Sequence, residues 1–345
     1  LLLEYGYFLQ AAVRVNNLMF NRRSLFLYLI LTLSASACAM PLGLTQAGTI
    51  VSSDIDEASG LATSRLNDKV LWVHNDSGDS ARLFAIDSSG KQLATVNVEG
   101  VKSIDWEDIA SFTYHNQSYL LIADIGDNQA QRSQYQLHLI KEPDLSQLHG
   151  NKLLSVKPSW SMTFTYGDGA HDSESVAVDV AKQKILLLTK RDKLPILYEL
   201  PLIDPALGQT ESNHSANNLA ANSTKQFNRQ AKKLGEIAPL PSAMLDYTSI
   251  YTWIGFAGKP TAMDISADGL SAVVLTYTHA FYFTQTEPGD WLTLFSSPPQ
   301  QINLPNIRQA EAVGFSQDGR SIYITSENLP APLYKVDLKA YRTQF

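Results

Sequence analysis

Three glutamates open near-copies of one short pattern: Glu107-Asp-Ile-Ala, Glu174-Ser-Val-Ala and Glu311-Ala-Val-Gly. Ser59-Gly-Leu-Ala and Thr261-Ala-Met-Asp follow the same pattern with a hydroxyl in place of the acid. Carboxylates gathered from distant positions repel one another unless protons or a cation compensate them. Hard oxygen donors in such number suit Ca²⁺, which accepts roughly six to eight oxygens in flexible geometry. Two loops add Asp76-Ser-Gly-Asp79 and Asp124-Ile-Gly-Asp127, in which the glycine lets the backbone turn so that both carboxylates can face inward. The expected metal ligands are therefore Glu107, Glu174, Glu311, Asp76 and Asp124, with Ca²⁺ as the cofactor and Asp56, Glu57, Asp105, Asp108, Asp172, Asp79, Asp127 and Glu327 around them. Loop Asp and Asn residues also cap strands and bond backbone amides, and that ordinary role competes with the metal reading at each flanking position.

Catalytic candidates are few. Lys190-Arg191 is a basic pair where equivalent positions are acidic or amidic, and it could hold the oxygens of an anionic substrate beside the cation. His74 and His279 both fall at the expected channel mouth and could exchange protons near neutral pH. Against these stand a solvated charge pair and two ordinary hydrogen-bonded histidines. G-x-S-x-G, H-E-x-x-H, Walker and G-x-G-x-x-G motifs are all missing from the sequence.

The elements that must position these groups follow from the repeats. Successive starts are separated by 48, 67, 87 and 50 residues. A second run rich in apolar residues follows each start: Val70 to Val73, Tyr119 to Ile122, Ile185 to Leu188, Ala272 to Leu275 and Ser321 to Ile324. Each ends at a polar cluster, and a third short run succeeds it. Units of about four short strands recurring in this way indicate an all-β chain folded as a β-propeller. Five blades fit the repeats, with a sixth left open by the longest interval. Fourth strands are expected at Ala94 to Val98, Ser161 to Tyr166, Leu234 to Ile237 and Thr293 to Phe295. The last repeat lacks one, and Thr49 to Ser53 is expected to pair beside Leu333 to Val336 and close the ring. Trp72, Trp106 and Trp253 are expected to fill gaps between blades.

Met19 to Arg23, the apolar run Leu25 to Leu33 and Ser34-Ala-Ser-Ala37 form an export signal, followed by Cys38. Residues 1–18 read as an upstream extension, 19–37 as signal peptide, 38–48 as linker and 49–345 as one propeller domain with a flexible insertion at 205–231. Ala35-Ser-Ala37-Cys38 is similar to a lipobox, so a lipid anchor at Cys38 and a soluble exported product both stay open. The apolar run is too short to span a bilayer comfortably, so no transmembrane helix is expected in the mature chain. The formal net charge of −7 and the lack of a basic block exclude the footprint of a nucleic-acid binder. One cysteine excludes a disulfide framework.

Trp72-Val-His-Asn-Asp-Ser-Gly-Asp79, Asp105-Trp-Glu-Asp-Ile-Ala110, Ile122-Ala-Asp-Ile-Gly-Asp-Asn128 and Glu311-Ala-Val-Gly-Phe315 resemble exported bacterial β-propellers of uncharacterised type. A more distant resemblance is to phytase-like, SMP-30-like and SdiA-regulated propellers. In the phytase-like and SMP-30-like groups a divalent metal sits at the propeller mouth, and the resemblance implies the same use for Glu107, Glu174 and Glu311. The dense basic pocket of a phytate hydrolase is reduced here to Lys190 and Arg191. Two functions remain: an exported module that binds a small anionic ligand, glycan or protein through a metal-stiffened mouth, and a metal-dependent hydrolase of a phosphoester or lactone.

Overall fold

The computed structural model describes residues 41–148, 152–204, 224–240, 258–305 and 307–342. The export segment, Cys38, Trp253 and residues 205–223 of the expected insertion lie outside the described residues. Among those described, no helix is long and apolar enough to cross a membrane.

The chain is all-β. After β1 (Leu44–Ile50) comes a first set of strands, β2 (Ala58–Thr63), β3 (Val70–Asn75), β4 (Arg82–Asp87) and β5 (Gln92–Val98). The second set is β6 (Trp106–Tyr114), β7 (Gln117–Asp124), β8 (Tyr135–Lys141) and, after β9 (Leu153–Val156), β10 (Trp160–Tyr166). The third is β11 (Ser173–Asp179), β12 (Lys184–Thr189), β13 (Ile196–Pro201) and β14 (Lys225–Glu236). The fourth is β15 (Pro260–Ile265), β16 (Ser271–Thr276), β17 (His279–Thr284) and, after the short helix α1 (Trp291–Phe295), β18 (Gln300–Asn303). The fifth is β19 (Ala310–Phe315), β20 (Ser321–Ser326) and β21 (Ala331–Asp337), with α2 (Lys339–Arg342) beyond it. Within each set, consecutive strands in the sheet pair antiparallel.

Each set's first strand touches the first strand of the next: β2 meets β6, β6 meets β11, β11 meets β15, β15 meets β19, and β19 meets β2. These strands are buried along both faces, so their residues show no apolar-polar alternation. Small side chains permit the approach. A Cβ on Gly314 of β19 would lie 2.8 Å from the Leu61 carbonyl oxygen of β2, so a side chain there would force the two strands apart. Five apolar clusters fill the spaces between neighbouring sets, and one of them joins the last set to the first through Leu61, Val73, Phe84, Ala312, Tyr323 and Leu333. Trp72 and Trp106 are buried in the cluster between the first and second sets, as expected of gap fillers.

The structure corrects four sequence boundaries. The strand that completes the fifth sheet is Leu44–Ile50, starting five residues before the expected Thr49 and lying mostly in the expected linker; it pairs Leu44 with Val336 and Ile50 with Ala331. Residues 225–231, expected in the flexible insertion, are strand. They pair in parallel with β10, while 232–236 pair with β13, so β14 joins the second and third sets into one eight-stranded sheet. Most of β14 is solvated, and main-chain bonds hold it. Thr293 to Phe295 is helix, because Asp290 caps it by accepting from the Thr293 amide while Trp291, Leu294 and Phe295 bury one face. The fourth strand of that set is β18. Finally, β9 is a fifth strand that the sequence did not announce, parallel to β5.

Candidate metal centre

In all five first strands the pairing register slips once, at the same place. The slips fall between Ala58 and Gly60, Trp106 and Asp108, Ser173 and Ser175, Pro260 and Ala262, and Ala310 and Ala312. The extra residue is Ser59, Glu107, Glu174, Thr261 or Glu311, so the repeated sequence start is a repeated β-bulge. A bulge leaves one residue unpaired and re-aims its side chain. All five are buried. The hydroxyl members stitch neighbouring sets together: Ser59 Oγ donates to the Glu107 carbonyl at 2.8 Å and Thr261 Oγ1 to the Ala310 carbonyl at 2.8 Å. The three glutamates are left to carry charge.

Two carboxylate triads overlap at Glu107: Asp76, Asp105 and Glu107, and Glu107, Asp172 and Glu174. In each, one oxygen per residue lies within 4.8 Å of the others. Gly126 makes room for them, since a Cβ there would lie 2.0 Å from Glu107 Oε1 and 2.5 Å from Asp105 Oδ2. Asp105 and Asp172 each stand two residues before a bulged glutamate, in Asp105-Trp-Glu107 and Asp172-Ser-Glu174. That D-x-E spacing is the signal by which the sequence could have ranked them among the ligands.

Crowding and burial set the protonation. Burial, then Glu174 and Asp76, holds Glu107 well above the usual carboxylate range. Burial also raises Glu174, against the pull of Lys190. Glu311 is raised well above its ordinary value by burial and the charges of Glu174 and Glu327. Asp105 is pushed up to about 7 by burial, Asp76 and Glu174, and Glu327 to about 7 by burial and Asp76. Burial works against the Lys190 charge, yet Glu174 and then Glu311 hold that ammonium well above its usual value. A cluster that retains protons at neutral pH is one short of positive charge.

The structure gathers Glu107, Glu174 and Asp76. Glu311 stands outside the triads with its Oε2 buried and without a hydrogen-bond partner, electrostatically coupled to Lys190 and Glu174. Asp124 is engaged elsewhere: it is fully buried, pairs with Arg132 at 2.7 Å and accepts the Ile104 amide at 2.9 Å, anchoring the connection into β6. The D-x-G-D loops also differ from expectation. Asp79 pairs with Arg82 at 2.9 Å, and Asp127 accepts from Tyr135 Oη and the Gln131 and Arg132 amides, so only Asp76 of the four faces the cluster. The second loop contributes the bare Gly126 instead.

The expected anion-binding pair is occupied by the centre's own acids. Lys190 Nζ lies 2.8 Å from Glu174 Oε2 and 4.9 Å from the centre of the Tyr277 ring, and Arg191 Nε lies 2.6 Å from Asp172 Oδ2. His74 is completely buried over Gly60, edge-on to Trp106 at 5.6 Å, with Nδ1 at the Asn75 carbonyl; burial lowers its pKa and keeps it neutral. His279 is buried at the start of β17, bonded to Thr278 Oγ1 at 2.8 Å. Lys190, His74 and His279 thus have three different sets of neighbours.

No family model matches the chain, and no curated protein matches it. Among solved structures there is a similarity to the major Malassezia sympodialis allergen Mala s 1, with 13% identity over 86% of this chain and 96% of that one and a TM-score of 0.48, which establishes neither fold nor function.

Proposed function

We propose that the chain is an exported five-bladed β-propeller, closed by β1, whose bulged end holds a divalent cation and serves as a ligand-binding module. The observation that carries this reading is the pair of overlapping triads centred on Glu107. The donors are all carboxylate oxygens, the chemistry of Ca²⁺ rather than zinc. The orphaned Glu311 Oε2 and the space kept by Gly126 also fit a cation that completes the charge balance. Asp76, Asp105, Glu107, Asp172 and Glu174 would hold it. When bound, the ion supplies positive charge and open coordination positions for the oxygens of an anionic small ligand, glycan or protein. This chain's own residues place the carboxylates by bulges, keep Glu107 and Asp105 close through Gly126, and hold Lys190 as a tethered counter-charge. The hydrolase alternative is weaker, because His74 is completely buried with Nδ1 at the Asn75 carbonyl and His279 is bonded to Thr278.

Thermal melting of chelator-treated protein tests the reading. Calcium should raise the melting temperature in proportion to the logarithm of its concentration. Glu107→Gln, which breaks both triads while keeping side-chain size, should abolish that rise and leave the metal-free protein at least as stable as wild type. A wild-type melting temperature indifferent to calcium would overturn it.

A further inference from the structure

At the other end of the first strands lies a cavity of about 370 Å³, to which all five sets contribute: Arg65 after β2, Phe112 in β6, Val178 in β11, Ile265 in β15 and Gln317 after β19. From Glu107 to Thr113 is six residues of extended chain, so this cavity stands about 20 Å from the carboxylate triads. Phe112, Val178 and Ile265 give it a buried apolar wall, and Ser111, Thr113, Asp179, Ser266 and Gln317 line much of the rest. Its cation is Arg65.

The guanidinium is held along one edge. Its Nε donates to Ser111 Oγ at 3.1 Å and to the Ser111 carbonyl at 3.2 Å, and Nη2 donates to the same carbonyl at 3.0 Å. Ser111 is itself fixed, donating to the Thr63 carbonyl at 2.7 Å. The Arg65 backbone is pinned too: its amide donates to Glu142 Oε2 at 3.0 Å, and its carbonyl accepts from Gln317 Nε2 at 2.7 Å. Ser111 therefore takes the Nε/Nη2 edge of the fork and leaves the Nη1/Nη2 edge unused.

Arg82, Arg132 and Arg191 each pair with an aspartate at 2.9 Å or less; Arg65 has no such partner among the described residues. The nearby carboxylates are otherwise employed. Asp264 feels the Arg65 charge, but its two oxygens accept the Ile265 and Phe315 amides at 2.8 Å each. Asp179 accepts the Trp291 indole N–H at 2.7 Å and lies 3.5 Å from Lys182. A half-buried guanidinium fixed along one edge, with no carboxylate salt-bridged to it among the described residues, presents the geometry that a planar carboxylate matches with two parallel hydrogen bonds.

We propose that this cavity binds a small monocarboxylate with an apolar body, its carboxylate on the free Arg65 edge and its chain against Phe112, Val178 and Ile265. Arg65 is the one cation among the lining residues and Asp179 lies among them too, so the second negative charge of a phosphate would go uncompensated there. The site is separate from the carboxylate triads and does not depend on a metal.

Saturation-transfer difference NMR with hexanoate in chelator-containing buffer at pH 7 tests the idea. Wild type should transfer saturation to the hexanoate chain, more strongly than to acetate or hexan-1-ol, and inorganic phosphate should not displace it. Arg65→Gln should weaken hexanoate at least tenfold. Ala267→Trp plugs the exposed rim without touching Arg65, and it should do the same even if the first variant folds poorly. Glu107→Gln should leave binding unchanged, which separates this site from the metal centre. No transfer to hexanoate, equal transfer in Ala267→Trp, or displacement by phosphate would each overturn the proposal.

Discussion

Replacing Lys190 with methionine removes a buried positive charge while keeping a flexible stem of similar length. In the metal-free protein Lys190 Nζ is 2.8 Å from Glu174 Oε2, with both side chains at most 5% exposed. Removing one partner of a buried pair costs about 3–5 kcal/mol, because the other charge is left uncompensated. At roughly 2 °C per kcal/mol for a domain of this size, the melting temperature in chelator should fall by about 6–10 °C. Calcium should change that outcome. A cation at the triads gives Glu174 a new partner, and the variant binds it without competition from the ammonium. At about one hundred times the dissociation constant, binding adds about 2.7 kcal/mol to wild type and more to the variant. The gap between the two melting temperatures should then close to less than half. The assay is differential scanning fluorimetry at pH 8, above the range to which Asp105 and Glu327 are raised. An equal loss in chelator and in calcium would refute the reasoning, since Lys190 would then stabilise the fold without sharing the cation's role.

A chain beginning at Val51 lacks β1 and leaves the β21 edge unpaired; with Leu44 and Ile50 each burying about 1.5–3 kcal/mol of apolar side chain, it should melt several degrees lower and aggregate, and an unchanged melting temperature would show that β1 is dispensable. His138 is buried against Ser161 Oγ at 2.8 Å, and burial depresses its pKa from the ordinary 6.5 to about 4. The unfolded chain takes up that proton first, so the stability His138 contributes is complete above pH 6.5 and is lost as pH falls through 4, by about 3 kcal/mol in all. Urea denaturation of wild type and His138→Gln should show curves that converge over this window, and parallel curves would contradict it. In chelator, the raised carboxyls act in the opposite direction: the native state holds protons that the unfolded chain has released, so stability should fall as pH rises from the ordinary carboxylate range to about 7, and calcium should cancel that fall.

The repeats were readable because each first strand packs on two neighbours and must be small or apolar, while the second strand is dense in Leu, Ile and Val. What β14 does was not readable, because Lys225-Gln-Phe-Asn-Arg-Gln-Ala231 is held by main-chain bonds to β10 and carries almost no side-chain signal. Of the site, the bulged glutamates stood out by type and spacing, although their meaning as bulges needed the register. The D-x-G-D loops misled because an aspartate in a turn has backbone amides at hand, which is how Asp127 is used. Lys190 misled for a different reason: its partner Glu174 lies across β11 and β12, a contact that no local pattern announces.

The most direct measurement is calcium titration of chelator-treated protein by isothermal calorimetry, repeated in buffers of different ionisation enthalpy near pH 7. Glu107 and its neighbours retain protons when no cation is present, so binding must expel them. The predicted result is one calcium per chain, with an apparent enthalpy that shifts with the buffer by the released protons, and neither binding nor release in Glu107→Gln. No heat in any buffer, or binding that survives Glu107→Gln unchanged, would contradict a cation centre built on the bulged glutamates.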